Sequence, residues 1–137
     1  LPIFCGTAAV IGHVWTVFAG FRGGKGVATA AGAVLVFAPG GFAVALASFA
    51  LVLMSTGLVS LSSLAAALGL GVALVLPAFS QGGQSPWLLG LGLSALPFIA
   101  FTHRANIARL FRGQEKRFEK VALLRRLCSG RGASRTR

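Results

Sequence analysis

The sequence predicts an all-α fold, a polytopic integral membrane helical bundle, and three observations carry that prediction. Hydrophobic residues fill 55% of the 137 positions and charged residues only 11%, with a mean hydropathy of +0.83. A water-facing surface needs about a quarter or more of its residues charged, so this chain cannot cover itself in water. From Gly26 through His103 there is no Asp, Glu, Lys or Arg. The net charge of +11 is confined to two places, Arg22 with Lys25 near the start and the stretch from Arg104 to Arg137.

The apolar segments come in order as about five spans or part-spans. Leu1 to Phe18 is apolar apart from Thr7, His13 and Thr16, and reads as a membrane helix or the end of one. A glycine-rich cationic loop, Gly20 to Gly26, follows. Val27 to Ala38 is the next span, broken by the turn chemistry of Pro39-Gly40-Gly41. Phe42 to Met54 is apolar again, and Ser55 to Ser63 is a hydroxyl-rich interruption. Leu64 to Phe79 closes at Ser80 to Pro86. Trp87, an interfacial anchor, opens the last span, which runs to Thr102. Some spans are short: a twelve-residue helix rises about 18 Å against a hydrocarbon core of about 30 Å.

Counting crossings places the glycine loop, Ser55–Ser63 and His103 with the basic tail on one membrane side. The outer turns then hold no charge, and the inner segments hold every cation, as the positive-inside rule requires. A basic tail can also mean nucleic acid, but here it follows the last span directly, so a cytoplasmic flank is expected and no nucleic-acid partner. After His103, Ile107, Leu110, Phe111, Phe118, Val121 and Ala122 recur at helical spacing among cations. An amphipathic helix on the membrane surface is expected there, interrupted at Gly113. The chain thus divides into a transmembrane domain, residues 1–103, and a basic interfacial helix and tail, residues 104–137. Cys5 and Cys128 are expected to be free thiols. The first residue is not Met and lies inside an apolar run with no basic region before it, so no signal peptide is read and a missing beginning is expected.

Few residues can carry chemistry. Gly23, Gly24, Lys25 and Gly26, with Arg22 beside them, suit an anion: glycine lets the backbone approach closely, successive amides form a nest and Lys25 adds a full charge. The helix starting near Val27 aims its positive dipole end at the same place. The loop is not of the Walker A kind, since Ala19 stands for the first glycine and Gly26 follows the lysine. A flexible loop with two topogenic cations explains the local pattern equally well. His103 and Asn106 share a helix face, and a histidine there can exchange a proton near neutral pH. His13 is expected to sit deeper, in a buried polar contact. Ser60, Ser62 and Ser63 offer hydroxyls at the same membrane side, as ligands or as helix caps. No metal-ligand cluster is present, and the stretch before Glu115 holds no carboxylate for a Ser-His-Asp triad, so catalysis would rest on positioning and cationic stabilisation.

Taken together, Gly12-His13, Val17-Phe18, Phe21-Arg22-Gly23-Gly24-Lys25-Gly26-Val27-Ala28-Thr29, Val59-Ser60-Leu61-Ser62-Ser63 and His103-Arg104 with Asn106-Ile107, Leu110, Gly113 and Glu115 resemble the bacterial acyl-phosphate:glycerol-3-phosphate acyltransferases, the PlsY family. The resemblance runs from Leu1 to about Glu119. It implies transfer of a fatty acyl group from acyl phosphate to the 1-hydroxyl of glycerol 3-phosphate, giving lysophosphatidic acid and phosphate, without a cofactor. It maps the phosphate site onto Gly23, Gly24, Lys25 and Gly26, and the polar substrate pocket onto Ser60, Ser62, Ser63, His103 and Asn106. Thr29 and His13 are further substrate-side candidates, and Glu115 a structural support. The implied setting is the bacterial inner membrane, with active site and C-terminus cytoplasmic and a functional link to the enzyme that makes the acyl phosphate. Thr16 replaces the family's usual proline, and Arg22 a common lysine. The family has about seven spans, and its first motif, a Ser-Gly-Asn-type loop, is absent, so roughly two further N-terminal spans are expected and this chain alone is expected to be inactive. The rival reading is a small anion or phosphate channel, with the glycine loop as its entrance.

Overall fold

The computed structural model describes residues 2–21, 23–81 and 85–118. Among these every regular element is helical: α1 (Pro2–Val14), a short 3-10 turn (Val17–Ala19), α2 (Val27–Phe37), α3 (Pro39–Thr56), α4 (Val59–Gln81), α5 (Pro86–Thr102) and α6 (Arg104–Phe111). The expected order of apolar helices holds, while several boundaries move. The first helix stops at Val14, short of Phe18. Pro39-Gly40-Gly41 is no turn; the break is Ala38 alone, and Pro39 takes the first turn of α3, where its missing N–H costs nothing. Ser55–Ser63 is interrupted only at Gly57-Leu58, with Gly57 in the left-handed region at φ 70° and its N–H on the Leu53 carbonyl. Ser60, Ser62 and Ser63 therefore lie in the first turns of α4. Past His103 the helix ends at Phe111, and Gly113 turns the chain at φ 68°. Val121, Ala122 and the tail, with Cys128, lie outside the described residues.

Three helices form the packed body. α4, at 23 residues, rises about 34 Å and lies between α3 and α5. Leu70 and Leu74 on α4 meet Val34 and Ala38 at the end of α2, with Phe42 of α3 and Leu91 of α5 packed around them. α4 and α5 approach backbone to backbone: a Cβ on Gly71 would stand 3.1 Å from the Gly92 carbonyl, the close contact that small residues permit in membranes. The outward faces carry large apolar side chains, among them Leu35, Val36, Leu51, Leu68, Leu76 and Leu93, a belt that only lipid can cover at no cost. α3 and the stretch Val59–Pro77 are each long and apolar enough to cross a membrane. α5 and α6 qualify together, bent by 66° at His103, and α1 and α2 are shorter apolar helices.

The side-chain contacts of α1 set its direction. Phe4 meets Trp87 at the start of α5, with ring centroids 5.7 Å apart, and Trp15 meets Phe101 at its end, at 6.3 Å. α1 therefore runs parallel to α5, which brings the glycine loop after α1 to the same end of the bundle as His103. At that end the Phe118 N–H also donates to the Gly57 carbonyl at 2.8 Å. The three polar segments thus converge.

Candidate active site

The glycine loop folds back on the helix it leaves. Gly20 and Phe21 both take left-handed backbone, at φ 59° and 60°, and Phe21 donates its N–H to the Thr16 carbonyl. The returning strand then lies against the end of α1. The Gly23 N–H donates to Val14 O at 3.2 Å and the Gly24 N–H to His13 O at 3.1 Å. A Cβ on Gly23 would fall onto the His13 and Val14 carbonyls, and one on Gly24 onto the His13 imidazole. Gly26 starts α2 at φ 72°, with no side-chain cap.

This geometry narrows the nest expected from the sequence. The Gly23 and Gly24 amides are already spent on α1. The free donors are the N–H groups of Lys25, Gly26 and the first turn of α2 (Val27, Ala28, Thr29), since Ala30 is the first to bond back, to the Gly26 carbonyl. The Lys25 side chain is exposed beside them. His13, expected to be buried, is exposed; its ring lies over Gly24 instead. Thr29 is half-buried in the first turn of α2. Arg22 lies outside the described residues.

His103 occupies the break between α5 and α6, outside the α5 span, and is only 1% exposed. Its Nδ1 lies 3.0 Å from the Ile99 carbonyl and 3.2 Å from Thr102 Oγ1. The Thr102 hydroxyl donates its own proton to the same carbonyl. A carbonyl only accepts, so Nδ1 carries the proton and Nε2 presents a lone pair. The parallel run of α1 and α5 puts Lys25 and His103 at the same end of the bundle.

Around them lies a network on Glu115. Oε1 accepts from Asn106 Nδ2 at 2.7 Å and from Ser60 Oγ at 3.1 Å, and Oε2 from Arg109 Nε at 3.1 Å. The Asn106 hydrogen bond is the main reason its carboxyl lies below the ordinary range, with Arg109 and Ser60 adding and burial opposing. Ser62 and Ser63 turn their hydroxyls back onto the Leu58 and Val59 carbonyls. These are not caps: each is buried and bonded one turn back along α4. The sequence reading missed Thr102 and Ile99, which set the tautomer of His103; only the hydroxyl beside the histidine hinted at them. Among the described residues no group of His, Cys, Asp or Glu has metal-binding form.

The fold and these groups define a multi-pass helical membrane protein with a cationic, helix-terminus site at one end of its bundle. A family profile described as Glycerol-3-phosphate acyltransferase matches residues 1–113, and the chain belongs to that family. Glycerol-3-phosphate acyltransferase 2 of Bacillus anthracis is 40% identical over 116 residues, which cover 85% of this chain and 58% of the relative. The glycerol-3-phosphate acyltransferase of Salinibacter ruber is 43% identical over 116 residues, 84% of this chain and 51% of the relative. Crystal structures of PlsY (YgiH), an integral membrane glycerol 3-phosphate acyltransferase, are similar as well. The lysophosphatidic acid form has a TM-score of 0.75 at 34% identity, over 89% of this chain and 60% of that one. The glycerol 3-phosphate form has a TM-score of 0.74 at 34% identity, over 89% and 58%. The chain spans little more than half the length of these relatives.

Proposed function

We propose that this chain builds the phosphate-holding and hydroxyl-orienting part of an enzyme that acylates the 1-hydroxyl of glycerol 3-phosphate, with acyl phosphate as donor. The observation that carries the reading is the union, at one end of the bundle, of Lys25 at the open end of α2 with a buried His103 whose Nδ1 is held and whose Nε2 has no partner among the described residues. The amides of the first turn of α2 and the Lys25 ammonium hold a phosphate. Nε2 of His103 accepts a hydrogen bond from the attacking hydroxyl and orients it. The hydroxyl oxygen bonds to the acyl carbonyl carbon, the carbon–oxygen bond to phosphate breaks, and inorganic phosphate leaves with lysophosphatidic acid as the other product. The hydroxyl proton passes to Nε2 or to the departing phosphate, so no carboxylate base is needed. Asn106, with one amide hydrogen on Glu115, keeps its carbonyl and second hydrogen for substrate. Arg22, Gly23, Gly24, Gly26, Thr29 and His13 shape the anion side, and Ser60, Ser62 and Ser63 the wall formed by α4.

An anion channel is the weaker reading. A permeation path needs polar groups at mid-membrane, whereas the polar cluster described here lies at one end of the bundle. The site, with the basic tail, faces the cytoplasm of a bacterial inner membrane by the positive-inside rule. Lys25→Ala, in the protein expressed from its complete reading frame, should abolish acyl-phosphate-dependent formation of lysophosphatidic acid while membrane insertion is unchanged. Turnover retained in that variant overturns the assignment.

A further inference from the structure

The segment after α6 has a second side that acyl transfer does not use. Glu115 turns inward, its side chain 10% exposed. Phe111 and Phe118 are 88% and 58% exposed, and Arg112, Lys116 and Arg117 stand in the open with them. Among the described residues these three cations have no ion-pair or hydrogen-bond partner, and the one acid, Glu115, is engaged by Arg109. No described acid is left to neutralise this charge. The segment lies where α5 leaves its apolar span, tied by the Phe118 N–H to the α3–α4 break. At that depth exposed phenyl rings meet the boundary of headgroups and acyl chains, and cations meet lipid phosphates. An acidic soluble protein matches the charge but not the two rings beside the span.

We propose that Phe111, Arg112, Lys116, Arg117 and Phe118 form a docking surface for the headgroups of anionic phospholipids in the leaflet at this end of the bundle. The rings enter the acyl boundary and the cations hold phosphates. Docking braces the segment whose inner side holds Asn106 and Ser60 through Glu115. The test is the melting temperature of the purified chain in nonionic detergent, titrated with phosphatidylglycerol, phosphatidylcholine or inorganic phosphate. Phosphatidylglycerol should raise it by several degrees, and the rise should shrink between about 0.1 M and about 1 M salt, as the screening length falls from about 10 Å to about 3 Å. Phosphatidylcholine and inorganic phosphate should leave it in place. The triple variant R112Q/K116Q/R117Q should keep its own melting temperature, since it loses no partner, and should lose most of the rise. The cations from Lys120 onward remain in that variant, so a rise that survives it overturns the proposal. So does an equal response to phosphatidylcholine or to inorganic phosphate. Should the triple variant not fold, the single variants R112Q and R117Q, each expected to lose part of the rise, decide instead, and an undiminished rise in both overturns the proposal.

Discussion

Replacing Glu115 separates hydrogen bonding from charge in the network behind the site. In Glu115→Ala the Asn106 amide and the Ser60 hydroxyl, 9% and 2% exposed, lose their shared acceptor. Each buried polar group left unpaired costs about 1–3 kcal/mol, so the pair costs about 2–6 kcal/mol. Arg109 adds little: its side chain is 49% exposed, and exposed ion pairs contribute about 0–1 kcal/mol. Glu115→Gln keeps an oxygen for Asn106 and Ser60 but turns a nitrogen toward Arg109, so its cost should be only about 1–2 kcal/mol. The assay is thermal unfolding in nonionic detergent, followed by circular dichroism across pH. Because the folded carboxyl is depressed, its contribution is fully present above the ordinary value of 4.5 and is lost as pH falls through the lower folded value. The wild type should lose melting temperature across that acid window, and Glu115→Gln, which takes up no proton there, should lack the step. Equal costs for the Ala and Gln variants, or one acid profile shared by wild type and Glu115→Gln, would refute the network.

The glycine loop predicts an ordered pair of effects. Gly23→Ala presses a methyl group onto two backbone carbonyls and should displace the loop and remove turnover, while Gly24→Ala meets only the tip of the His13 ring and should be milder; steady-state kinetics on both variants check the order. Gly26→Ala must hold a left-handed conformation, at a cost of about 1–2 kcal/mol, visible as a lower melting temperature. Ser62→Ala removes a hydroxyl bonded only to the Leu58 carbonyl and should leave KM for glycerol 3-phosphate nearly unchanged. Ser60→Ala also takes a donor from Glu115 and should raise it. His103→Gln, which lacks the Nε2 acceptor on a ring fixed by Ile99 and Thr102, should lower kcat by more than it changes KM.

By itself the sequence determined the class of fold and which polar segments meet at one end of the bundle. Long runs apolar at nearly every position cross lipid as helices, which satisfy their backbone polar groups within the segment, whereas barrel strands would alternate apolar with polar, and the cations mark one face. Glycines around Lys25, the serine segment and His103 with Asn106 were legible as polar groups that such a chain would not otherwise keep. Helix ends were less so: Pro39 begins a helix as readily as it breaks one, and Ser62 and Ser63 fit the start of α4 by bonding back to the Leu58 and Val59 carbonyls, while Ser60 turns to Glu115. Only the tertiary structure decided which donors are free. The Gly23 and Gly24 amides are consumed by carbonyls of α1, which leaves the free donors at Lys25 and the start of α2. Glu115 reaches Ser60, 55 residues away in sequence, because Gly113 reverses the chain after α6. Periodicity reports which face of a helix is buried, but a polar group's partner is set by where the chain returns, and no local pattern carries that information.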